Sequence, residues 1–416
     1  MKKKILTISD SPLSTSGIAR QTRMAIESFL DSEKYEVISI AVAQEHKDYT
    51  PYITEKYGNS WKLFPTDKFS DLELVRSLIK SEKPDAMWLM ADPRFFETMW
   101  NIDTEIRSVV PIVYYHVWDN YPYPVFNKKY YHSNDLVVCI SKLTKDVLDN
   151  VAPDVASSYL PHTVDTDIYK SEEFSSVSMF LEANNISYQG KKIFFWNNRN
   201  AVRKHPATLL WWFKKLLDEV GHDKAMLLMH TDPKDKSGPD LITNLEHLGL
   251  TSGQVFLSNQ KVPDRMLATF YNIADCTINI SDAEGFGLSS LESMACETPV
   301  ISTLTGGLKD QIFDGENWFG IGIEPASKML VGSQSVPYIF EDRISCDDFI
   351  QACKRIINTP KQDLEKWGRK CRNNVLKNFS IKDYKRSWVS VMDEVIDKYG
   401  SWETRKNFDR WELITA

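Results

Sequence analysis

Short β-branched runs alternate with helical stretches in two series along the 416 residues, and a polar break separates the series. In the first series the pattern predicts strands at Lys4 to Ser9, Tyr35 to Ala43, Ala86 to Met90, Ile112 to His116 and Leu136 to Ile140. Helices are expected at Gly17 to Leu30, at Asp71 to Lys83 and from Lys142 onward. Strand-helix alternation of this kind implies a parallel sheet covered by helices on both faces. Near Leu160 it gives way to PHTVDTDIYK and SEEFSSVSM, polar and turn-rich, the composition of a linker. It restarts at Lys192 with strand KIFFW, helix PATLLWWFKKLLDEV, strand AMLLMHT, helix LITNLEHLG and strand VFLS. Helix DRMLATFYNIA, strand CTINIS, a further helix and strand PVIST follow. The expected class is therefore α/β: a doubly wound domain at 1–165, a linker at 166–190, a second doubly wound domain at 191–378 and a helical segment at 379–416. In the last of these, Trp388, Val389, Val391, Met392, Val395 and Ile396 form an apolar face that must dock on something.

Composition narrows the possible roles. At 42% hydrophobic and 26% charged residues the chain reads as globular and long enough for two cores. No apolar run approaches the roughly 20 residues of a membrane span. The opening MKKKILTISD has a positive start, but its apolar run is too short for a signal peptide, and it reads as a first strand behind a lysine cluster. Six scattered cysteines without a Cys-x-x-Cys pair read as reduced and buried, and a cytoplasmic setting is expected. No His/Cys cluster has zinc spacing, so no metal site is expected. A net charge of −7 gives no global reason to bind nucleic acid or an anionic membrane.

Ligands of open parallel sheets bind beyond the carboxyl ends of the strands, so motifs at strand ends carry the most weight. The stretch DAEGFGLSSLESMACETPV, Asp282 to Val300, ends a strand in a glycine-rich turn and then starts a helix. Unpaired N–H groups and the positive end of the helix dipole suit an anion there, and Gly285 and Gly287 allow a phosphate to come close. Two carboxylates flank this position. Glu292 follows Glu284 by eight residues, up to ~12 Å along a helix, of the order of the span from a sugar ring to a ribose across a diphosphate. Carboxylates accepting from hydroxyls at both ends, with N–H groups between, would cradle a nucleotide sugar. Taken alone, the segment serves equally as an ordinary strand-turn-helix with an acid favoured by the dipole. The loop NNRNAVRKHP after strand IFFW adds Arg199 and Lys204, cations able to neutralise a diphosphate as bound group and as leaving group. Ser16-Gly17 in STSGIAR marks another strand-to-helix turn, a weak anion or substrate loop.

Together these residues resemble the retaining glycosyltransferases of the GT-B fold, particularly those called family 4. EGFGLSSLESMACETPVIS resembles that family's Glu-x7-Glu segment with its following strand, and RNAVRK its Arg-x4-Lys pair. LPHTVDTDIY, ADCTINIS, STLTGGLKDQI and CISKLTKDVL resemble further elements of the family in the same order. The likeness is strong from about 135 to 320 and thinner outside. Three positions depart from it, with Glu297, Thr163 and Ser16 where the family has Gly. MHTDPKDKSG is also unusual, and its His230 and Asp232 either line the donor pocket or form a loop.

The resemblance implies two Rossmann-like domains facing a central cleft, with the C-terminal helix docking back on the first. It implies a front-face substitution without a covalent protein intermediate, in which the leaving diphosphate takes the acceptor's proton and the protein supplies positioning and electrostatics. By resemblance Arg199 and Lys204 hold the diphosphate with the N–H groups of Gly285, Phe286, Gly287 and Leu288, Glu284 binds donor-sugar hydroxyls, and Glu292 binds the ribose. Base recognition is expected through backbone near Lys261-Val262, with a UDP-sugar favoured as donor and no metal required. His116 at a strand end is expected near the donor sugar, with Asp119 a weaker companion. The acceptor belongs to the first domain, where Tyr121 and Tyr123 head an aromatic loop able to stack on sugars or bases. A glycan or other sugar hydroxyl is the favoured acceptor, and a hydroxylated base in DNA is an alternative. A non-catalytic nucleotide-sugar or glycan-binding protein of the same fold is the rival from another class. A dehydrogenase fails because neither opening strand leads into Gly-x-Gly-x-x-Gly.

Overall fold

The computed structural model describes residues 2–42, 46–172, 181–183 and 190–408. The chain divides into two units, one of Met1–His162, Gln334–Pro337 and Lys382–Ala416, the other of Thr163–Ser333 and Tyr338–Ile381. Of the expected linker, 173–180 and 184–189 lie outside the described residues. No helix among the described residues is long and apolar enough to cross a membrane.

The first unit carries strands β1 (Lys3–Asp10), β2 (Tyr35–Val42), β3 (Tyr52–Thr54), β4 (Gly58–Thr66), β5 (Ala86–Met90), β6 (Ile112–His116), β7 (Leu136–Cys139) and β8 (Ser157–Tyr159). They form one sheet in the order β3-β4-β2-β1-β5-β6-β7-β8. Every pairing is parallel except β3 with β4. Central strands such as β5, AMWLM, are buried along their whole length, as a sheet covered on both faces requires. The edge hairpin β3–β4 is unanticipated, because β3 is three exposed or half-exposed residues and β4 contains Pro65.

The helix Ile381–Tyr399 belongs to this unit from Lys382 onward, which answers where its apolar face goes. Trp388 is wholly buried, its ring edge-on to Tyr115 at 4.8 Å, Trp88 at 5.6 Å and Phe29 at 6.1 Å. Such aromatic pairs add about 0.5–1.5 kcal/mol each beyond the area they bury. Past the helix, Arg405 closes on the buried Asp135 at 2.6 Å.

The second unit carries β9 (Lys192–Asn197), β10 (Ala225–His230), β11 (Val255–Ser258), β12 (Cys276–Asn279), β13 (Val300–Thr303) and β14 (Ile321–Ile323), ordered β11-β10-β9-β12-β13-β14 and all parallel. Leu209, Leu210, Phe213, Leu216 and Leu217 of the helix Pro206–Val220 pack with Phe194 and Trp196 of β9 in the core. A separate antiparallel hairpin, β15 (Ser327–Val331) with β16 (Ile339–Arg343), is not foreseen in the sequence pattern. Strand order runs outward in one direction from β9 and in the other from β12. The loops leaving these two strands are therefore neighbours at the switch point of the sheet.

Two departures from the family pattern have structural accounts. Glu297 sits at φ 64°, the left-handed region where Gly is the easy choice. Thr163 uses its hydroxyl to donate to the Phe379 carbonyl at 2.6 Å.

His116 and His162 are both buried in the first unit, and burial holds each imidazole down to about 3 from 6.5. Above about pH 6.5 both are neutral whether the chain is folded or not. As pH falls from there, the unfolded chain binds two protons that the folded unit refuses. Stability should therefore drop by about 1.4 kcal/mol per pH unit for each imidazole until the folded values are reached. Urea unfolding of the first unit at about pH 7 and about pH 5 should show this slope, and His162→Gln should roughly halve it.

Candidate functional site

The loop leaving β9 ends in a single 3-10 turn, Val202–Lys204, followed by His205 in the left-handed conformation at φ 55°. Pro206 then begins the next helix, its fixed φ suited to a first helical position. This turn points Lys204 inward, only 7% exposed, where its ammonium pairs with the Glu284 carboxylate from the loop leaving β12. Arg203 lies beside it, donating to the Ala283 carbonyl at 2.6 Å with its guanidinium 3.5 Å from Glu284. A backbone bond from Asp282 N to the Arg203 carbonyl, 2.9 Å, stitches the two loops together.

Arg199 is placed differently. Its side chain is 69% exposed and forks onto Asp235 in the loop after β10, with Nε at 2.7 Å and Nη2 at 3.2 Å, and it also reaches Ser237 Oγ at 2.8 Å. Arg199 holds the Asp235 carboxyl down to about 2, so the pair stays ionised at any ordinary pH. The cation next to Lys204 at Glu284 is thus Arg203, which the Arg-x4-Lys spacing passes over.

The glycine turn between the carboxylates is tightly built. Gly287, at φ 95°, precedes the helix Leu288–Ala295 and caps it without a side chain, leaving that end to backbone N–H groups. Gly307 N donates to the Glu284 carbonyl at 2.9 Å. Phe286 is buried edge-on to Phe379 at 5.9 Å, and Gln311 donates to its carbonyl at 2.7 Å. Gly285 is buried and Leu288 half-buried. Glu292 is 1% exposed and accepts from the Tyr271 hydroxyl at 2.7 Å, while Asn197 of β9 donates to that hydroxyl at 2.8 Å. Burial pushes the Tyr271 phenol well up, keeping it a donor. In the structure as it stands, Glu292 is tied to the interior rather than open to solvent.

Asp282 completes the cluster. It is buried, burial raises its carboxyl against the pull of His205, and His205 Nε2 lies 2.5 Å from Oδ1. Asp342 of β16 donates its N–H to the Asp282 carbonyl at 2.9 Å, and Arg343 stands 3.7 Å from Oδ2. Arg203, His205, Asp282, Asp235 and Tyr271 are the residues that sequence reasoning missed. The first three adjoin named motifs and could have been flagged by position. Asp235 and Tyr271 offer no local signal.

The remaining expected residues take the following positions within their own units. Val262 is half-buried in the segment between β11 and the helix Asp264–Ile273. His230 ends β10 against Ser258 Oγ at 3.0 Å, and Asp232 accepts from Lys234 N in a turn, so this stretch is a loop. In the first unit, Ser16 is a helix N-cap accepting from Ala19 N at 3.0 Å and donating to Asp10 at 2.6 Å, and Gly17 is the first helical residue. Tyr121 and Tyr123 both donate to Asp146, at 2.6 and 3.1 Å. Asp119 is half-buried in the same loop. His116, at the end of β6, is wholly buried with Nε2 3.0 Å from the Tyr131 hydroxyl. Among the described residues no group of three or more His, Cys, Asp or Glu is arranged to hold a metal.

The packing of the glycine turn generates a prediction. A Cβ added at Gly307 would stand 2.4 Å from the Gly285 carbonyl oxygen and 2.7 Å from Phe286 Cα, so backbone must move. Gly307→Ala should cost about 1–3 kcal/mol in urea unfolding of the second unit.

Residues 180–356 match the family model described as glycosyl transferases group 1. The D-inositol 3-phosphate glycosyltransferase of Thermomonospora curvata is 45% identical over 70 residues, 17% of this chain and 16% of that protein. Its counterpart from Acidothermus cellulolyticus is 42% identical over 80 residues, 19% of this chain and 17% of that protein. The chain thus spans less than a fifth of the curated relatives it matches. Solved structures cover far more. A sucrose-phosphate synthase from Thermosynechococcus elongatus superposes with a TM-score of 0.75 at 15% identity, covering 95% of this chain and all of that one (100%). A glycosyltransferase from Rickettsia africae gives 0.72 at 18% identity, covering 95% and 99%. HepE of Anabaena in complex with UDP-glucose gives 0.71 at 14% identity, covering 94% and 99%. The chain therefore has the GT-B fold of two Rossmann-like domains, and residues 180–356, most of its second unit, are similar to the glycosyl transferases group 1 model.

Proposed function

We infer that the protein is a retaining glycosyltransferase, of the family 4 type, that moves a sugar from a nucleoside diphosphate sugar to a hydroxyl of a glycan or other sugar. The observation that carries this reading is the cluster of Lys204, Arg203 and Glu284 at the β9/β12 switch point, beside a helix end capped only by glycine. A diphosphate needs cations and N–H donors, and a sugar needs a carboxylate acceptor. Both are present within one loop pair. UDP is the proposed nucleotide, supported by the UDP-glucose bound in the Anabaena structure of like fold.

In this reading Lys204 leaves Glu284 for the diphosphate when donor enters, and the N–H groups near Gly287 share that charge. Glu284 then accepts from hydroxyls of the sugar. Arg199 serves the diphosphate from its bond to Asp235, and Glu292 turns from Tyr271 to the ribose. The bond from the anomeric carbon to the diphosphate oxygen breaks as a bond to the acceptor oxygen forms on the same face. The electron pair departs with the diphosphate, whose oxygen takes the acceptor's proton. Positioning and charge stabilisation supply the rate, with no metal in the scheme.

The test is turnover of UDP-, GDP-, ADP- and TDP-glucose with sugar acceptors, the product anomer read by NMR, with and without EDTA. Transfer with the donor's anomeric configuration kept in EDTA is the expected result, and inversion or a metal requirement would overturn the mechanism. Binding of a nucleotide sugar without turnover would favour the non-catalytic reading.

Variants of the ion pair sharpen this. Lys204→Ala and Glu284→Ala should each lower turnover about 100- to 1,000-fold. Each also strands a buried charge, so unfolding stability should fall in both. The double variant removes both charges and should recover part of that stability while staying inactive. Glu292→Ala should chiefly weaken UDP binding, measured by titration calorimetry.

A further inference from the structure

Two loops meet at the switch point, and the backbone of one is held in a conformation that its residue does not favour. His205 adopts φ 55° between the buried Lys204 and the first residue of a helix. A Gly would take this conformation freely, and a β-carbon makes it costly. Left-handed non-glycine residues persist where their surroundings over-determine them. Here the surrounding is Asp282. Its carboxylate is 2% exposed, and the His205 side chain is 16% exposed with Nε2 2.5 Å from Oδ1. Asp282 precedes Glu284 by two residues, and His205 follows Lys204 directly. The contact therefore spans the same two loops as the Lys204–Glu284 pair, one step away in each.

We propose that His205 and Asp282 are a positioning pair that fixes the register of the β9 loop on the β12 loop and so sets Lys204 against Glu284. Two further contacts, both from β16, brace Asp282. Arg343 stands 3.7 Å from its second oxygen, and Arg343 is itself bonded to Glu341 at 2.7 Å. Asp342 N donates to the Asp282 carbonyl, and the Thr305 hydroxyl donates to the Asp342 carboxylate at 2.7 Å. The β15–β16 hairpin thus backs the pair, and a residue that only shaped the backbone would need no such partner. The proposal rests on the reading of Lys204 and Glu284 as donor-binding groups for its effect on turnover, and on geometry alone for its effect on their coupling.

The experiment has two readouts. The first needs no substrate: the coupling of Lys204 to Glu284 is measured by a double-mutant cycle in urea unfolding, with His205 and again with His205→Gly. Glycine takes φ 55° without strain, which offsets part of the loss of the Asp282 contact, so His205→Gly itself should still fold and unfold at a similar urea concentration. The Lys204–Glu284 coupling should nevertheless fall at least about twofold. Undiminished coupling would overturn the proposal. Should the glycine variant fail to fold, His205→Asn, which tolerates the left-handed region, replaces it with the same expectation. The second readout is UDP-glucose turnover. His205→Gly and Asp282→Asn should each lower kcat about 10- to 100-fold with KM little changed, and together no further than the worse of the two. Additive losses, or kcat equal to that of the unaltered protein, would sink the positioning role while leaving the glycosyltransferase reading in place. Absence of UDP-glucose turnover in the unaltered protein would count against UDP-glucose as donor, and the coupling readout would still decide the role of His205.

Discussion

Two opposite charges taken out of water at one point organise the second unit. Lys204 and Glu284 have side chains only 9% and 15% exposed, and each offsets the cost of burying the other. They come from loops 80 residues apart in sequence. Those loops adjoin only because β9 and β12 are neighbours in a sheet whose order runs β11-β10-β9-β12-β13-β14. Every nearby feature then has a task set by that pair. The Asp282 N to Arg203 carbonyl bond fixes loop spacing, the Gly307 N to Glu284 carbonyl bond fixes the carboxylate's backbone, and glycine at 287 lets a helix begin right behind it.

Each carboxylate of the cluster faces a basic side chain before any ligand arrives. Lys204 and Arg203 face Glu284, Arg199 faces Asp235, and His205 and Arg343 face Asp282. A ligand bearing only phosphate would draw Lys204 away and leave Glu284 with less compensation. One bearing only hydroxyls would leave Lys204 in that position. A molecule offering both an anion and hydroxyls a few ångströms apart would replace both sides of the pair at once, as the proposed nucleotide-sugar donor would.

Much of this was legible in the sequence, for identifiable reasons. Strands such as Ala86–Met90 and Ile112–His116, and the helix Ile381–Tyr399, fall where the periodicity predicts because buried elements must repeat their apolar residues. The glycine turn was legible because a positive φ and a close approach demand Gly at 287 and 307. What escaped was set by contacts distant in sequence. The Tyr271–Glu292 bond joins two helices, Asp235 reaches back to Arg199 from the loop after another strand, and β15–β16 is a hairpin with largely exposed residues and so no apolar alternation. Glu297 shows the limit from the other side, since a residue that departs from a Gly pattern still takes the glycine's backbone.

The first unit answers differently to the same reasoning. Its polar residues at strand and helix ends are engaged within the unit: Ser16 caps a helix, Tyr121 and Tyr123 share Asp146, and His116 meets Tyr131 under full burial. The buried His116 imidazole, held down to about 3, takes no proton near neutrality and stands within hydrogen-bonding distance of the Tyr131 hydroxyl. A strand-end histidine is a good functional marker only while its edge is open. Here the short helix Lys128–His132 sets the Tyr131 ring edge-on to the His116 ring at 4.8 Å, and the imidazole is wholly buried.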